Sequence, residues 1–296
     1  MSIKNLLMAW NWGVTTPVLF AKNLRGAMFR RPAPPPCLPD IDDCPENGLR
    51  FTWLGHATVL IDIAGRRVLT DPHLGNWVLF SRRLIAPPIR PDAIPDLDLV
   101  LISHSHFDHL DRGTLKQINP GADIVVPPAC TDLVSDLGFS RVHEMQPGDR
   151  VKKDGLEIMA LKVPHTPHRH PLSKPRGHCG YVITRNGVSV LFIGDARTMD
   201  GSFIAGLGLN IEVAVLPISS YEPKWYRVAH MEPEDTVKLF IASGAKRLLP
   251  IHRETFILSY EPVAEPLERL LKAADKAGIS AQLLLPRMGE TIKTQK

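Results

Sequence analysis

The sequence predicts a mixed α/β fold built around large sheets. Three observations lead there: apolar runs of strand length fill the first two thirds of the chain, Asn-Gly and Ala-Gly turns join several of them, and helical periodicity gathers near the end. With 296 residues, 44% hydrophobic and 22% charged, the chain can bury a sizeable core. That composition excludes a disordered chain, a collagen-like repeat and a polytopic membrane protein.

Residues 1–48 read as an extension ahead of the main domain. Between Lys4 and Lys22 lie 17 uncharged residues interrupted by Asn11, Thr15, Thr16 and Pro17, short of the roughly 20 apolar residues a spanning helix needs. Ile3, Leu6, Leu7, Trp10 and Val14 recur at helical spacing, so the expectation is an amphipathic helix broken near Pro17. Tryptophans, an apolar face and basic residues suit a membrane interface through residues 1–31; packing onto the domain or a partner subunit is the other reading. Pro32, Pro34, Pro35, Pro36, Pro39 and Pro45 make a stiff connector.

The main domain, 49–296, opens with residues 51–63 and 67–70, expected as a hairpin around Ala64-Gly65-Arg66. Residues 97–103 are a buried strand, and 123–127 a short one followed by a helix ending near Gly138. Residues 156–164 form a strand, and 181–184 pairs with 188–194 across Arg185-Asn186-Gly187. The run 212–218, a helix from about Pro233 that Gly244 closes, a strand over 247–251, a helix over 262–277 and a strand over 282–285 complete the chain.

The net charge of +4 is unevenly spread. Lys4, Lys22, Arg25, Arg30 and Arg31 precede the first acidic residue, Asp40, and the rest of the chain carries 30 basic and 31 acidic residues. The basic excess therefore belongs to the N-terminal segment, which argues against a nucleic-acid partner. Cys37, Cys44, Cys130 and Cys179 form no CxxC pair and are too sparse for a disulfide scaffold. No small-residue cleavage site follows the apolar stretch. A reducing, cytoplasmic location is expected, with membrane contact confined to the N-terminus.

The chemistry is concentrated in Ser103-His104-Ser105-His106-Phe107-Asp108-His109-Leu110-Asp111, directly after the apolar run Leu99-Val100-Leu101-Ile102. Neutral imidazoles each offer a metal one lone pair and a carboxylate adds a hard oxygen. Four donors this close cannot all reach one ion comfortably. The spacing suits two adjacent metals, His104 and His106 on one, Asp108 and His109 on the other. Farther on, Asp195 ends the apolar run 190–194, where a carboxylate is costly unless paired or metal-bound.

The H-x-H-x-D-H signature resembles the metallo-β-lactamase superfamily, which implies a four-layer αββα sandwich with a dinuclear metal site at one edge of its sheets. The resemblance also implies three further ligands: a histidine, a bridging aspartate and a last histidine. His165 closes a predicted strand and is the favoured third histidine, with His168 as the alternative; His170 and His178 are read as exposed or substrate-contacting. Asp195 fits the bridging aspartate, and His252, ending the run Leu248-Leu249-Pro250-Ile251, fits the last ligand. By the same resemblance Asp71, in Leu69-Thr70-Asp71-Pro72, orients the ligands from behind, and His56 lines the site.

Thr52-Trp53-Leu54-Gly55-His56-Ala57-Thr58, the segment from Pro217 to Tyr226, His230-Met231-Glu232-Pro233 and Ile251-His252-Arg253-Glu254-Thr255-Phe256 together resemble the N-acylphosphatidylethanolamine-hydrolysing phospholipase D branch. This likeness implies a phospholipid substrate cleaved to N-acylethanolamine and phosphatidic acid. It also implies two Zn²⁺ bridged by Asp195 and a hydroxide, with Asp108 orienting the nucleophile. His230 becomes the substrate-contacting or proton-donating group, and Tyr221, Trp225 and Tyr226 an apolar lining. A soluble metal-dependent lactonase or phosphodiesterase is the alternative on the same ligands. A redox di-iron relative, which carries a carboxylate at the place of His106, is disfavoured.

Overall fold

The computed structural model describes residues 31–118, 121–166, 168–170 and 172–294. The amphipathic helix expected within residues 1–30 lies outside the described residues. The strands are β1 (Leu49–Gly55), β2 (Thr58–Ile63), β3 (Arg66–Thr70), β4 (Trp77–Val78), β5 (Ser81–Arg82), β6 (Leu99–Leu101), β7 (Asp123–Val126) and β8 (Arg141–Glu144). They continue with β9 (Arg150–Lys153), β10 (Leu156–Lys162), β11 (Cys179–Arg185), β12 (Val188–Phe192), β13 (Ile211–Pro217), β14 (Arg247–Ile251) and β15 (Thr291–Thr294). One sheet runs β15-β1-β2-β3-β6-β7-β8 and the other β14-β13-β12-β11-β10-β9, while β4 and β5 form a small separate hairpin. The helices are α1 (Arg112–Leu115), α2 (Ser202–Ala205), α3 (Pro233–Ser243) and α4 (Glu265–Lys276).

Three apolar clusters define four layers. Phe51, Trp53, Val59 and Ile61 of one sheet meet Ile158, Tyr181, Phe192 and Val215 of the other in a central core. Leu54, Leu60 and Leu69 turn the opposite way, onto Leu110, Leu115 and Ile118. Met159, Leu191 and Leu216 likewise turn outward onto Val237, Phe240 and Leu270. Because side chains alternate faces along a strand, a sheet covered on both sides needs apolar residues at successive positions. That is why β1 and β2 are buried throughout. The sandwich expected from the sequence is the observed fold.

Some elements differ from expectation. Residues 51–63 are two strands, because Gly55 and His56 both take positive φ (109° and 53°) and turn the chain back on itself. The helix expected after residue 127 is only a 3-10 turn over Thr131–Leu133. The strand expected at 282–285 is a 3-10 turn, Ser280–Gln282, followed by a single bridge between Leu248 and Leu283. By contrast, α3 ends as expected, on Gly244 in the left-handed conformation. Among the described residues no helix is long and apolar enough to cross a membrane.

The proline-rich connector lies along the domain. Ala33 pairs with Leu84 and Ala86 through two backbone hydrogen bonds (2.9 and 2.8 Å), and Leu84 N–H reaches Thr255 O at 2.8 Å. Farther along, Arg67 donates to Ile41 O at 2.6 Å while Arg50 and Arg67 share the buried carboxylate of Asp62.

Strand direction sets the position of the site. β12, β13 and β14 are parallel, and β10 and β12 are each antiparallel to β11, so β10, β12 and β14 all finish at one edge. β3 and β6 are parallel in the facing sheet and finish at that edge too. The two sheets meet there: a Cβ on Gly194, at φ +65°, would overlap Cβ and Oγ of Ser103. Replacing Gly194 with alanine should therefore destabilise the fold by about 2–4 kcal/mol, through strain and overlap together. Equilibrium urea unfolding checks this, and a loss under about 0.5 kcal/mol, the range of an innocuous surface change, would contradict it.

Candidate metal centre

The convergent strand ends deliver a shell of histidines and carboxylates. His104, His106, Asp108 and His109 leave β6; His165 follows β10, Asp195 follows β12 and His252 follows β14. His56 occupies the β1–β2 turn and Asp71 the end of β3. His56, Asp71 and His252 have positive φ (53°, 33° and 59°). Each such non-glycine conformation costs about 1–3 kcal/mol and marks a place where the surroundings over-determine the backbone.

The donor atoms fall into two main groups, each within 4.8 Å: His104, His106, His165 and Asp195, and His56, Asp108, His109 and His252. In the first, His106 Nδ1 lies 2.9 Å from His104 Nε2 and 3.2 Å from His165 Nε2. The opposite nitrogens assign the tautomers. His106 Nε2 donates to His168 O at 2.9 Å and His165 Nδ1 to Ala229 O at 2.8 Å. His104 Nδ1 lies 2.9 Å from Ser103 Oγ, whose own proton goes to Asp71. The three inward nitrogens are therefore bare lone pairs aimed at one point.

The second group repeats the pattern. His109 Nδ1 donates to Asp71 Oδ2 at 2.6 Å, leaving Nε2 facing Asp195 Oδ2 at 3.2 Å and Asp108 Oδ2 at 3.4 Å. His252 Nδ1 meets Ser219 Oγ at 3.0 Å, leaving Nε2 at 3.3 Å from Asp195 Oδ1 and 3.4 Å from Asp108 Oδ2. Asp195 thus touches both groups, and neither of its buried oxygens has a hydrogen-bond partner; the same is true of His109 Nε2 and His252 Nε2. Acceptors facing acceptors in a dry site need a cation. Donors about 2.0–2.2 Å from a tetrahedral ion stand roughly 3.3–3.6 Å apart, close to these spacings, so the residues fit divalent metal.

The electrostatics agree. Burial opposes the charge on Asp195, yet His252 and His109 hold it well below the usual carboxylate range. Burial likewise opposes the charge on Asp108, which His109, His252 and His56 hold low. Burial drives His56 down to about 3, so its neutral Nε2–H donates to Asp108 Oδ2 at 2.9 Å. Its observed contact is thus with a carboxylate of the cluster. Burial also takes His230 down to about 4, although Nδ1 lies 3.6 Å from Asp195 Oδ2. His230 is accordingly neutral near pH 7, where an unperturbed histidine would be partly charged.

Other expectations resolve by position. His165 joins the first group, whereas the ring of His168 turns to Ser173 O at 2.9 Å and contributes only its backbone carbonyl to His106. Tyr221, expected in the lining, is fully buried. Its hydroxyl meets Glu265 Oε1 at 2.9 Å and Arg269 stacks 4.7 Å over its ring, so it packs the base of α4. Trp225 is 41% exposed on the 3-10 turn Lys224–Val228, two residues past which His230 begins its contacts with the cluster.

His170 is exposed, but His178 is not the exposed residue expected. Both its ring nitrogens are buried, and its ring lies 4.9 Å from that of His104 and 5.0 Å from that of His165. Its place directly before β11, between the ends of β10 and β12, explains this, and the strand order was the signal needed to find it. Ser103, Ser219 and Arg169 also escaped the sequence reading.

A bare-nitrogen cluster at the edge of a four-layer sandwich defines a class, and comparison with known proteins agrees. Residues 66–253 match the family described as the beta-lactamase superfamily domain. The chain belongs to the metallo-β-lactamase superfamily, within a branch like the N-acylphosphatidylethanolamine-hydrolysing phospholipases D. It is 30% identical to N-acyl-phosphatidylethanolamine-hydrolyzing phospholipase D 1 of Caenorhabditis elegans, over 78% of this chain and 71% of that one. It is 28% identical to a UPF0173 metal-dependent hydrolase of Aeropyrum pernix, over 82% of this chain and 96% of that one. Among solved structures, a possible metal-dependent hydrolase from Veillonella parvula has the same fold, with a TM-score of 0.69 at 17% identity, over 84% of this chain and all of that one. The protein is a metal-dependent hydrolase of this fold.

Without metal, the bare acceptors must recruit protons. Burial pulls His252 down, but Asp195 and Asp108 more than reverse it and raise its pKa to about 9. That charge stabilises the metal-free fold fully below the ordinary histidine value of about 6.5, and the stabilisation is lost as pH rises through about 9. Chelator-treated protein should lose several degrees of melting temperature between about pH 7 and pH 9, a slope that bound divalent metal removes. Parallel melting curves with and without metal would contradict this.

Proposed function

We propose that the chain is a dinuclear zinc phosphodiesterase of phospholipase D type, cleaving N-acylphosphatidylethanolamine to N-acylethanolamine and phosphatidic acid. The single observation that carries the dinuclear reading is the position of Asp195 between the groups: its unpartnered Oδ2 lies 3.9 Å from His104 Nε2 of the first and 3.2 Å from His109 Nε2 of the second, and its Oδ1 3.3 Å from His252 Nε2 of the second. The likeness to the nematode phospholipase, over more than three quarters of this chain, supports the substrate. His104, His106 and His165 would hold one ion, Asp108, His109 and His252 the other, and Asp195 both. Zinc held there would bring the pKa of water to near neutral and draw charge from the phosphoryl oxygens.

The protein's own groups do the rest. Asp71 holds His109, and Ser103 holds His104, each by the outer nitrogen, so the inward nitrogens keep their aim. Asp108 is the most open of the three cluster aspartates, at 13% side-chain exposure against 1% for Asp195 and 0% for Asp71. With one oxygen fixed by His56, it is placed to orient incoming water. His230, 16% exposed and neutral, donates a hydrogen bond to a substrate oxygen. In the net reaction water oxygen joins phosphorus, the P–O bond to the ethanolamine leaves, and the released alkoxide takes the proton from water.

The test is hydrolysis of N-acylphosphatidylethanolamine vesicles by metal-loaded protein, with products identified by mass spectrometry. Release of N-acylethanolamine together with phosphatidic acid, abolished by chelator, is the expected result. Turnover of soluble lactones or phosphodiesters alone would favour the second reading, a soluble metal-dependent lactonase or phosphodiesterase on the same ligands. His230→Gln should lower kcat about 100-fold at unchanged metal content, measured by elemental analysis. An unchanged kcat would remove His230 from the reaction.

A further inference from the structure

The loop carrying His104, His106, Asp108 and His109 belongs to one sheet, and the loop carrying His165 belongs to the other. Besides the approach of His165 to His106, two contacts among the described residues hold the loops together. One is the hydrogen bond from His106 to the carbonyl of His168. The other is Arg169. Its Nη1 donates to Ser105 O and its Nη2 to Leu110 O at 3.2 Å, and its guanidinium lies 4.1 Å above the ring of Phe107. Ser105, Phe107 and Leu110 alternate with or flank the donor residues. The loop is therefore gripped on its outer side at both ends and in the middle, while its donors point inward.

A guanidinium in this position needs a reason. Arg169 is largely buried, burial lowers its pKa to about 10, and among the described residues it makes no ion pair. Burying a charge without a counter-ion is costly unless other groups solvate it. Here two carbonyls and an aromatic face do so. A planar fork spans two carbonyls at fixed spacing, which a lysine ammonium, a single point on a flexible stem, cannot do. Each terminal nitrogen of the fork gives one hydrogen bond to the loop's backbone, so the side chain braces the loop.

We propose that Arg169 is a positioning residue of the metal centre, clamping the 103–111 loop so that its four donors are preorganised for the cation. The proposal rests on the reading of that cluster as a metal site. It also makes the histidine-rich loop a working part of the centre: His165 supplies a donor from one of its ends, and Arg169 fixes the partners of that donor.

The test is equilibrium competition for Zn²⁺ between the full-length protein and a chromophoric chelator. Second-layer partners of metal ligands are commonly worth 10–100-fold in affinity. Arg169→Met should weaken Zn²⁺ binding by about that factor, and Arg169→Lys should restore little of it. The melting temperature of the metal-free protein should stay near wild type, and the visible spectrum of the Co²⁺-loaded variants should change. Phe107→Leu removes only the aromatic face and should weaken binding by a smaller factor, giving a second reading if the Arg169 variants fold poorly. Wild-type Zn²⁺ affinity in Arg169→Met and Phe107→Leu overturns the proposal. So does a raised KM at wild-type affinity, which would make Arg169 a substrate anion contact. If the wild-type protein itself takes up no divalent ion, the metal reading has failed first.

Discussion

Each imidazole of the two donor groups that faces inward with a bare nitrogen has its other nitrogen committed to an oxygen the fold has already placed. Asp71 takes the proton of His109, Ser103 that of His104, Ser219 that of His252, and the carbonyls of Ala229 and His168 those of His165 and His106. The consequence is a set of lone pairs with no proton to share, aimed into a volume that also contains the unpartnered carboxylate of Asp195. Leaving such a charge uncompensated would cost about 3–5 kcal/mol. The site is thus a structure under electrostatic tension, and a cation is what relieves it.

Bringing these atoms together is the task of the topology. Ends of β3, β6, β10, β12 and β14 come from both sheets, and their convergence depends on closing the sandwich at one edge. Gly194 permits a close approach, against Ser103, the residue that orients His104. Positive φ at His56, Asp71 and His252 then turns the chain abruptly where a strand stops. Backbone strain at three positions of the shell is held by the same packing that buries Trp53 and Phe192 in the central core. Stability of the sandwich and geometry of the centre are consequently one property.

Much of this was legible in the linear chain, for a physical reason. A short apolar strand ending in a polar, metal-capable residue is a local pattern, and it marked His104, His106, Asp108, His109 and Asp195 as candidates before any packing was known, whereas His252 stood out only through the family resemblance. Choosing His165 over His168 also followed from its nearness to a strand end. What depended on neighbours distant in sequence was hidden. His178 looked like one more loop histidine because only the order of β10, β11 and β12 brings it beside His104. Tyr221 looked like a pocket wall because its partners, Glu265 and Arg269, lie more than forty residues on. His56 hid the first hairpin turn, since nothing in an uninterrupted apolar pattern announces a left-handed histidine.

The contact of Ala33 with the domain has a mechanical meaning. Ala33 is bonded to Leu84, Leu84 to Thr255, and Thr255 Oγ1 receives the backbone N–H of His56 at 2.7 Å. Three short links therefore run from the place where the N-terminal segment joins the domain to a histidine bonded to Asp108. A load applied to that segment is delivered beside the centre, not to a remote corner of the sandwich. The same path places the point where the chain enters the domain beside the His252 loop, on the side of the molecule that holds the centre.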